Sequence, residues 1–173
     1  MVIESEEIVL REVEERDRDQ LFDWAVNSDA TYWWFGDHVG EPIPSYKEFF
    51  EDFDDAYFDK NDKDYGWFII ETAGKQVGMI NYQREEEKDD CKVMEFDILI
   101  ANENHTGKGI GSKAYRLLID YLSDKGWKEF MVETLVTNER AKKSFLKAGF
   151  IYEKDHSDEN GISWSAFRLK IQE

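Results

Sequence analysis

Apolar and polar positions follow each other along the chain in a pattern that predicts a mixture of strands and helices. The run IVLREVEE alternates enough to predict a first strand, and apolar residues recur at helical spacing in the following RDRDQLFDWAVN. Ser45 and Glu48 form a capping-box pattern at the start of SYKEFFEDFDDAYF, which predicts another helix. From Asp29 to Pro44 the chain is irregular and rich in aromatic residues.

The middle of the chain predicts three consecutive strands. YGWFIIETAGKQVGMINYQRE contains two β-rich runs joined by an Ala-Gly-Lys turn, which is typical of a hairpin. KVMEFDILIA predicts the next strand, and alternate side chains of a strand share a face. One predicted face carries Val93, Glu95, Asp97 and Leu99, and the other carries Met94, Phe96, Ile98 and Ile100. Two acidic residues therefore interrupt an otherwise apolar face.

The last third of the chain predicts two helices and three strands. Apolar residues repeat at helical spacing from about Ser112 to Lys125, after a glycine-rich segment. EFMVETLV predicts a strand, and ERAKKSFLKA predicts a helix with Asn138 as its N-cap and Gly149 at its C-terminal end. FIYEKD and SWSAFRLKI predict two final strands.

The length of 173 residues predicts a single domain, residues 1–173, with a core of its own. The single cysteine, Cys91, excludes an intrachain disulfide and a cysteine-rich metal site, which favours a reducing compartment. The N-terminus, MVIESEEIVL, is acidic where a signal peptide is basic. No apolar run approaches the roughly 20 residues that a membrane span needs. We therefore expect a cytoplasmic protein that has no membrane partner.

The chain is strongly acidic, with 39 Asp and Glu against 22 Lys and Arg and a formal net charge of -17. This charge would repel nucleic-acid phosphates, so we expect no nucleic-acid partner. It is consistent either with solubility or with a surface that attracts cationic substrates. His38, His105 and His156 show no metal-ligand spacing, so we assign no metal and give these residues no role.

A glycine-rich loop, NHTGKGIGSK, lies between a predicted strand and a predicted helix. Glycines let the backbone approach a ligand closely, and a helix N-terminus attracts anions. A nucleotide P-loop would need Lys directly after Gly111, but Ser112 stands there and Lys113 is out of register. A dinucleotide fingerprint starting at Gly107 would need glycine at position 112. Neither pattern fits the loop.

The segment Thr106-Gly-Lys-Gly-Ile-Gly111 resembles the acetyl-CoA pyrophosphate loop of the GNAT superfamily of N-acetyltransferases, although Thr106 departs from the usual Gln or Arg. The segment from Asn138 to Phe150 resembles the downstream N-x-x-A-x-x-x-[YF]-x-x-x-G-F motif of that superfamily. This resemblance implies an α/β (α+β) fold, with a mixed, strongly bent central sheet of about six to seven strands and about four flanking helices. It also implies acetyl-CoA as co-substrate.

The resemblance implies two groups of acetyl-CoA contacts. Backbone groups of Ile98, Leu99 and Ile100 would pair with pantetheine as an added strand does. The remaining contacts would come from the glycine loop and from the downstream motif, namely Thr106, Gly107, Lys108, Gly109, Ile110, Gly111, Ser112, Asn138 and Lys143. Together with Lys113, Lys142 and Lys147, the lysines give local basicity in an acidic chain.

Within the superfamily the chain is most similar to aminoglycoside 6′-N-acetyltransferases. Their early LRxxxxxDxxxLxxW pattern is matched by Leu10-Arg11 and by Leu21-Phe-Asp-Trp24, and a Trp-Trp-Gly-like patch is matched by Trp33-Trp34-Phe-Gly36. An Asp on the strand before the glycine loop is matched by Asp97, and an acidic position before the downstream Asn is matched by Glu133.

These matches imply roles at the acceptor side of the site. Asp97 is the predicted base or orients the amine, and Glu133 helps to bind a cationic acceptor. Trp33, Trp34 and Tyr32, with the acidic helix 48–55, would form a substrate wall. The alternatives are an ion-paired carboxylate at Asp97, a solvated Glu133, and core packing for the aromatic residues.

One position departs from the superfamily in a way that affects the chemistry. Many members have tyrosine at the position of Phe145, where it protonates the leaving thiolate, and phenylalanine has no proton to donate. The thiolate could take its proton from water, or from Ser144 or Tyr152, and we assign no general acid. Direct attack by the amine needs no cysteine nucleophile, so Cys91 is passive.

The acceptor predicted first is a cationic small molecule with a primary amine, either an aminoglycoside or a polyamine-like compound. The second is a protein N-terminus, because ribosomal-protein N-terminal acetyltransferases share the early LR…D…L…W pattern. A non-catalytic acyl-CoA sensor is the alternative from a different class. The chain is expected to be a monomer or a homodimer.

Overall fold

Eight strands form one sheet in the part of the chain that the computed structural model describes, which is residues 1–34, 42–51, 58, 64–86 and 92–171. The strands are β1 (Val2–Glu4), β2 (Val9–Glu12), β3 (Tyr65–Thr72), β4 (Lys75–Glu86), β5 (Lys92–Ile100), β6 (Glu129–Leu135), β7 (Ile151–Ser157) and β8 (Ser163–Lys170). Five α-helices accompany them in the same residues: α1 (Arg18–Asn27), α2 (Thr31–Trp34), α3 (Tyr46–Glu51), α4 (Ile110–Asp124) and α5 (Glu139–Ala148).

The sheet order is β1-β2-β3-β4-β5-β6-β8-β7. All neighbouring strands are antiparallel except β5 and β6, which are parallel and are connected through α4. A parallel pair needs a crossover connection, and α4 with the loop before it provides one. The glycine-rich loop therefore lies at the end of β5, beside the single parallel pair of the described sheet.

The mixed fold predicted from the sequence is confirmed, with two additions. The described sheet has eight strands rather than six to seven, because β1 was missed, and five helices rather than about four, because α2 lies in the segment predicted to be irregular. Neither element has an independent signal, since β1 has three residues and α2 has four. β1 exists because it pairs with β2 and because Ile3 packs against the core.

The helix ends follow the predicted capping chemistry. The Asn138 side chain accepts a hydrogen bond from the Ala141 N–H (3.2 Å), and Gly149 ends α5 in the left-handed conformation (φ 105°). Ser45 and Glu48 exchange the two hydrogen bonds of a capping box at the start of α3. α4 begins at Ile110, two residues earlier than predicted, because its first turn is formed by the glycine loop itself.

Two apolar clusters lie on the two faces of the sheet. One joins α4 and α5 to strand residues such as Phe96 and Phe130, and the other joins α1 and α3 to strand residues such as Ile69 and Leu99. β5 contributes to both clusters because its side chains alternate between the faces. No described helix packs over the face of β6 and β8 that carries Glu133, so this part of the sheet stays accessible. No helix within the described ranges is long and apolar enough to span a membrane.

The early Leu-Arg…Asp pattern has a structural role. Arg11 donates two hydrogen bonds of 2.9 Å to the two carboxylate oxygens of Asp17, and it also contacts Glu71. Asp17 is buried and also accepts a hydrogen bond from the Glu14 N–H (2.8 Å). The bidentate pair fixes the chain where β2 turns into α1. These residues hold the scaffold and do not line the cleft described below.

Gly78 marks a very close approach between β4 and β5. A Cβ atom at Gly78 would lie 2.0 Å from the Leu99 carbonyl oxygen, and this contact is with backbone, which cannot move aside. Gly78 lies opposite Ile100 in the β4–β5 register. Only glycine is compatible with this approach, which sets the path of the last residues of β5.

We expect Gly78→Ala to lower the free energy of unfolding by about 2–4 kcal/mol, because either β4 or β5 must shift to relieve the clash. Chemical denaturation of the wild-type chain and of the variant measures this change. Gly74→Asn is the control, because Gly74 lies in the β3–β4 turn (φ 72°) with no atom within 4 Å of an added Cβ. Equal midpoints for Gly78→Ala and the control would contradict the interpretation.

Candidate active site

Two glycines with left-handed backbone conformations set the path of the loop before α4. Gly107 and Gly109 have φ angles of 72° and 80°, in the left-handed region that favours glycine. The Thr106 hydroxyl donates to the Glu103 carbonyl (2.8 Å), and the Ser112 hydroxyl donates to the Gly109 carbonyl (3.0 Å). These contacts fix both ends of the loop, so its backbone geometry is set before any ligand binds.

The backbone N–H groups of residues 107–112 have no backbone acceptor in the described structure. The first helical hydrogen bond of α4 is donated by the Lys113 N–H to the Gly109 carbonyl (3.0 Å). Unpaired amides at the start of a 15-residue helix form an anion site, because the helix dipole adds partial positive charge there. The loop therefore fits the pyrophosphate group that the sequence resemblance implies.

The lysines near the loop have different environments. Lys113 forms an ion pair with Glu7, and Lys142 contacts Glu139 and the Val136 carbonyl. Lys143 is exposed and lines the same cleft as the loop. Lys108 lies in a separate, smaller depression on the other side of the loop. Of the two lysines predicted as acetyl-CoA contacts, only Lys143 faces the cleft.

A fork opens between β5 and β6. The two strands are paired at three positions only, and the last pair is Glu95 with Met131. Beyond this pair β5 continues along β4, and β6 continues along β8. The backbone of β5 from Asp97 to Ile100 therefore has an edge with no strand beside it in the described sheet. An extended pantetheine chain can pair with such an edge.

The fork and the glycine loop open into one cleft of about 1210 Å³. Its floor includes Phe96, Tyr115 and Phe145, whose rings pack against one another. The predicted site residues that line this cleft are Trp33, Trp34, Asp97, Ile98, Leu99, Ile100, Thr106, Gly107, Gly109, Ile110, Gly111, Ser112, Glu133, Asn138 and Lys143. Lys108, Tyr32 and the described part of the predicted wall helix, residues 48–51, do not line it. Their roles in binding and catalysis remain predictions.

Asn138 lines the cleft, and its side chain makes two hydrogen bonds within the protein. Besides capping α5, it donates a hydrogen bond to the Thr134 hydroxyl (3.0 Å), and it is buried. A Cβ atom added at Gly111 would lie 3.0 Å from the Ser144 hydroxyl, which is a tight contact. The start of α4 and the middle of α5 are therefore in close contact beside the cleft.

The end of the cleft around Asp97 and Glu133 carries carboxylates and tryptophans. Asp97 is exposed on β5, and Glu133 lies on the neighbouring strand with its Oε1 2.9 Å from His156 Nε2. The Trp164 indole N–H donates to Asp158 (3.2 Å), which fixes that ring at the cleft wall. Anionic and aromatic groups together favour a cationic ligand.

α2 brings Trp33 and Trp34 to the cleft. The Asp29 N–H donates to the Ala101 carbonyl (3.2 Å), and the Glu103 N–H donates to the Asp29 carboxylate (2.8 Å). These two hydrogen bonds tie the turn before α2 to the segment that leads from β5 into the glycine loop. Trp34 also packs edge-on against Trp67 at 6.2 Å between ring centroids.

Glu95 is a titratable residue whose importance was not recognised from the sequence. It is partly buried on the same face of β5 as Asp97, and its Oε2 accepts a hydrogen bond from Gln83 (3.2 Å). Burial raises the pKa of Glu95 to about 7, and the charges of Asp97, Glu85 and Glu133 act in the same direction. Near neutral pH this carboxyl group is therefore partly protonated.

Sequence reasoning also missed several residues in or beside the cleft. It gave no role to Tyr115, which lines the cleft, or to His156, which contacts Glu133. Thr134, Arg140 and Trp164 line the cleft without any motif that could have marked them. Positions 52–55 of the predicted substrate wall lie outside the described residues, as do Gly36 of the Trp-Trp-Gly-like patch, His38 and Cys91.

The chain matches the Acetyltransferase (GNAT) domain family over residues 7–151. The matched region contains the fork, the glycine loop and the downstream Asn138 motif. The chain therefore belongs to the GNAT family, and the N-acetyltransferase assignment made from the sequence is confirmed.

Its relatives include aminoglycoside N(6′)-acetyltransferases type 1 from Klebsiella pneumoniae and Serratia marcescens. Each is 26% identical over 155 residues, which cover 84% of this chain and 75% of the relative. At this identity the fold is shared, and the acceptor of this chain has to be argued from its own site.

Solved structures with the same fold include acetyltransferases that differ in their acceptors. AAC(6′)-Ib in complex with ribostamycin and coenzyme A has a TM-score of 0.77 at 23% identity and covers 95% of this chain and 94% of that chain. Spermidine N-acetyltransferase from Vibrio cholerae, with CoA and spermine, has a TM-score of 0.73 at 23% identity, with 96% of both chains covered. RimL, a ribosomal L7/L12 alpha-N-protein acetyltransferase in complex with coenzyme A, has a TM-score of 0.78 at 15% identity, covering 99% and 98%. Acetyl-CoA, the predicted co-substrate, or CoA is bound in these and in related complexes.

We expect Glu95→Gln to remove a pH dependence of stability. The folded-state pKa of Glu95, about 7, exceeds its ordinary value of 4.5, so the folded chain binds a proton more tightly than the unfolded chain. Wild-type stability should therefore fall as the pH rises from about 5 to about 8, and Glu95→Gln should be more stable than wild type by about 1–3 kcal/mol at pH 8.

Thermal unfolding at pH 5 and pH 8 measures this difference. Glu4→Gln is the control, because Glu4 is an exposed carboxylate of β1. A Glu95→Gln variant with the same pH dependence as the wild-type chain would show that Glu95 is ionised normally.

Proposed function

We propose that this chain transfers the acetyl group of acetyl-CoA to a primary amine of a cationic small molecule, with an aminoglycoside as the first candidate. The observation that carries the proposal is the fork between β5 and β6. It connects an anion site at the glycine loop with the carboxylates Asp97 and Glu133 inside one cleft. The two ends of the cleft have opposite electrostatic character, which suits an anionic cofactor and a cationic acceptor.

The chain's own groups can orient both substrates. The amides of the glycine loop would hold the pyrophosphate, and the free edge of β5 would hold the pantetheine in an extended conformation. The acetyl group would then lie near Asp97, which stands two residues beyond the last β5–β6 pair. This placement brings a carboxylate to the point where an amine must approach.

Asp97 would bind the acceptor ammonium group and accept the proton that the nitrogen has to lose before it attacks. Glu133 would provide a second negative charge for another ammonium group of the same acceptor. Trp33, Trp34 and Trp164 would form the wall of the acceptor site, where cation–π contacts favour polycations. Because the glycine loop and the acceptor carboxylates are separate, cofactor binding and acceptor binding can be tested independently.

Protein N-terminal acetylation is the second candidate. The structural likeness to RimL extends over nearly the whole chain, with a TM-score of 0.78. A peptide N-terminus supplies a single reacting ammonium group, whereas an aminoglycoside or a polyamine supplies several. Two acceptor carboxylates favour the polycation.

A thiol-release assay with acetyl-CoA distinguishes these candidates. The panel comprises aminoglycosides, spermidine and spermine, and peptides with free N-termini. We expect the highest kcat/KM on a polycationic small molecule. Turnover on peptides alone would favour the second candidate, and CoA binding without turnover on any amine would favour a non-catalytic sensor.

We expect Asp97→Asn to lower kcat/KM by about 10²–10⁴, because the amide cannot accept the proton of the ammonium group. Affinity for CoA, measured by calorimetry, should stay within about twofold, since the glycine loop is unchanged. Asp120→Asn, at an exposed position of α4, is the matched control and should behave as wild type. Wild-type turnover in Asp97→Asn would remove Asp97 from the mechanism.

We expect Lys143→Ala to raise KM for acetyl-CoA by roughly 3- to 10-fold while kcat changes little, because an exposed lysine at the cleft contributes to cofactor binding in the ground state and the transition state alike. The increase should shrink at high salt, where charges are screened. Lys128→Ala, an exposed lysine before β6, is the control. An unchanged KM would place Lys143 outside the cofactor site.

A further inference from the structure

Phe145 leaves the departing thiol without the donor that many family members have. Phe145 is buried and lines the cleft, but its ring carries no proton that could stabilise a thiolate. The alternatives suggested by the sequence are Ser144, which lines the cleft, and Tyr152, which does not. The floor of the cleft contains one more hydroxyl group, at Tyr115.

Tyr115 lies on α4 with its ring directly against Phe145. The two ring centroids are 5.7 Å apart in an edge-to-face arrangement, and Tyr115 also packs against Phe96 (6.1 Å) and Phe150 (5.8 Å). The residue is 1% exposed and yet lines the cleft. Its ring therefore belongs to the core, while one edge of it reaches the cavity.

The Tyr115 hydroxyl donates no hydrogen bond to, and accepts none from, any described residue. The Tyr115 oxygen is not fully enclosed, and because Tyr115 lines the cleft its small exposed area lies there. A largely buried hydroxyl that no protein group pairs can form hydrogen bonds only with what occupies the cleft. A ligand atom in the cleft would supply the missing partner.

We propose that the Tyr115 hydroxyl donates a hydrogen bond to the sulfur of CoA, and so takes over the role for which Phe145 lacks a hydroxyl. This inference rests on the proposed function, because it requires the thioester to lie in the fork above Phe96 and Phe145. Tyr115 on α4 faces Phe145 on α5, and the two rings are in contact. Its hydroxyl then approaches the same cavity from the neighbouring helix.

The proposed step balances without another reactant. The nitrogen forms a bond to the thioester carbon, and the carbon–sulfur bond breaks with its electron pair going to sulfur. Asp97 takes the first proton of the ammonium group before the attack, and the second proton passes from the nitrogen to water as the carbon–sulfur bond breaks. Tyr115 stabilises the resulting thiolate while keeping its own proton. CoA is protonated by water as it leaves, which is feasible because a thiol pKa is about 8.5.

The electrostatic surroundings suit a donor. Burial raises the pKa of Tyr115 well above its ordinary value of 10.0, and the negative charge of Asp97 raises it further. The hydroxyl therefore stays protonated throughout the working pH range. A protonated phenol can donate a hydrogen bond to a thiolate at every turnover, and it cannot act as the base.

A binding experiment tests the proposal without any acceptor. Calorimetry compares the affinities of CoA and desulfo-CoA for the wild-type chain and for Tyr115→Phe between pH 6.5 and 9.5. If Tyr115 stabilises the thiolate, the wild-type preference for CoA over desulfo-CoA should grow by about tenfold as the pH rises through the thiol pKa. Tyr115→Phe, which keeps the ring and its packing, should lose this increase.

The same increase in both proteins would overturn the role of Tyr115, and so would a wild-type chain that never distinguishes the two ligands. Both results would leave the proposed function standing. If the wild-type chain binds neither CoA nor desulfo-CoA, both the proposed function and this inference are contradicted. Far-UV circular dichroism and thermal unfolding confirm that Tyr115→Phe is folded, which is expected because phenylalanine fits the same space.

Kinetics on the best acceptor of the panel provide a second test. Tyr115→Phe should lower kcat by roughly 10- to 100-fold and leave KM for acetyl-CoA nearly unchanged, because the hydrogen bond strengthens only as charge develops on sulfur. The double variant Tyr115→Phe with Phe145→Tyr returns one hydroxyl to the facing position and should recover part of the lost kcat. Wild-type kcat in Tyr115→Phe would overturn the proposal.

Discussion

The loss of pairing between β5 and β6 after Glu95 and Met131 is the constraint on which the rest of this structure depends. Up to that pair the sheet is continuous, and beyond it each strand keeps only its outer neighbour. The close approach at Gly78 keeps β5 against β4, so the opening forms on the β6 side. The cleft around this opening contains a bare backbone edge, carboxylates and tryptophans on one face, and the rings of Phe96, Tyr115 and Phe145 on the other.

The fork also separates two electrostatic environments within a strongly acidic chain. At its outer end, amides and the α4 dipole favour an anion, and at its inner end three acidic side chains share one face of the sheet. Burial and the charges of Asp97 and Glu133 raise the pKa of Glu95 to about 7, so protonation of Glu95 relieves part of their mutual repulsion near neutral pH. A bound cation would relieve the same repulsion.

Elements with strong local signals were predictable from the sequence, whereas elements that are held in place by tertiary contacts were not. The glycine loop, both α5 caps and the two faces of β5 were predictable because capping, backbone freedom and strand alternation are local rules. β1 and α2 were missed because pairing and packing hold them in place. Tyr115 has the spacing of a core residue, and only the structure shows that its hydroxyl reaches the cleft. His156 lies 23 positions from Glu133 in the chain, so no spacing rule could join them.

The two hydrogen bonds of Asp29 have a consequence for how the enzyme handles its two substrates. One reaches the Ala101 carbonyl and the other reaches the Glu103 N–H, so the turn that carries Trp33 and Trp34 shares its support with the segment that leads into the glycine loop. The two sites are mechanically joined at this turn. A displacement of the loop would therefore be transmitted to the turn that carries Trp33 and Trp34.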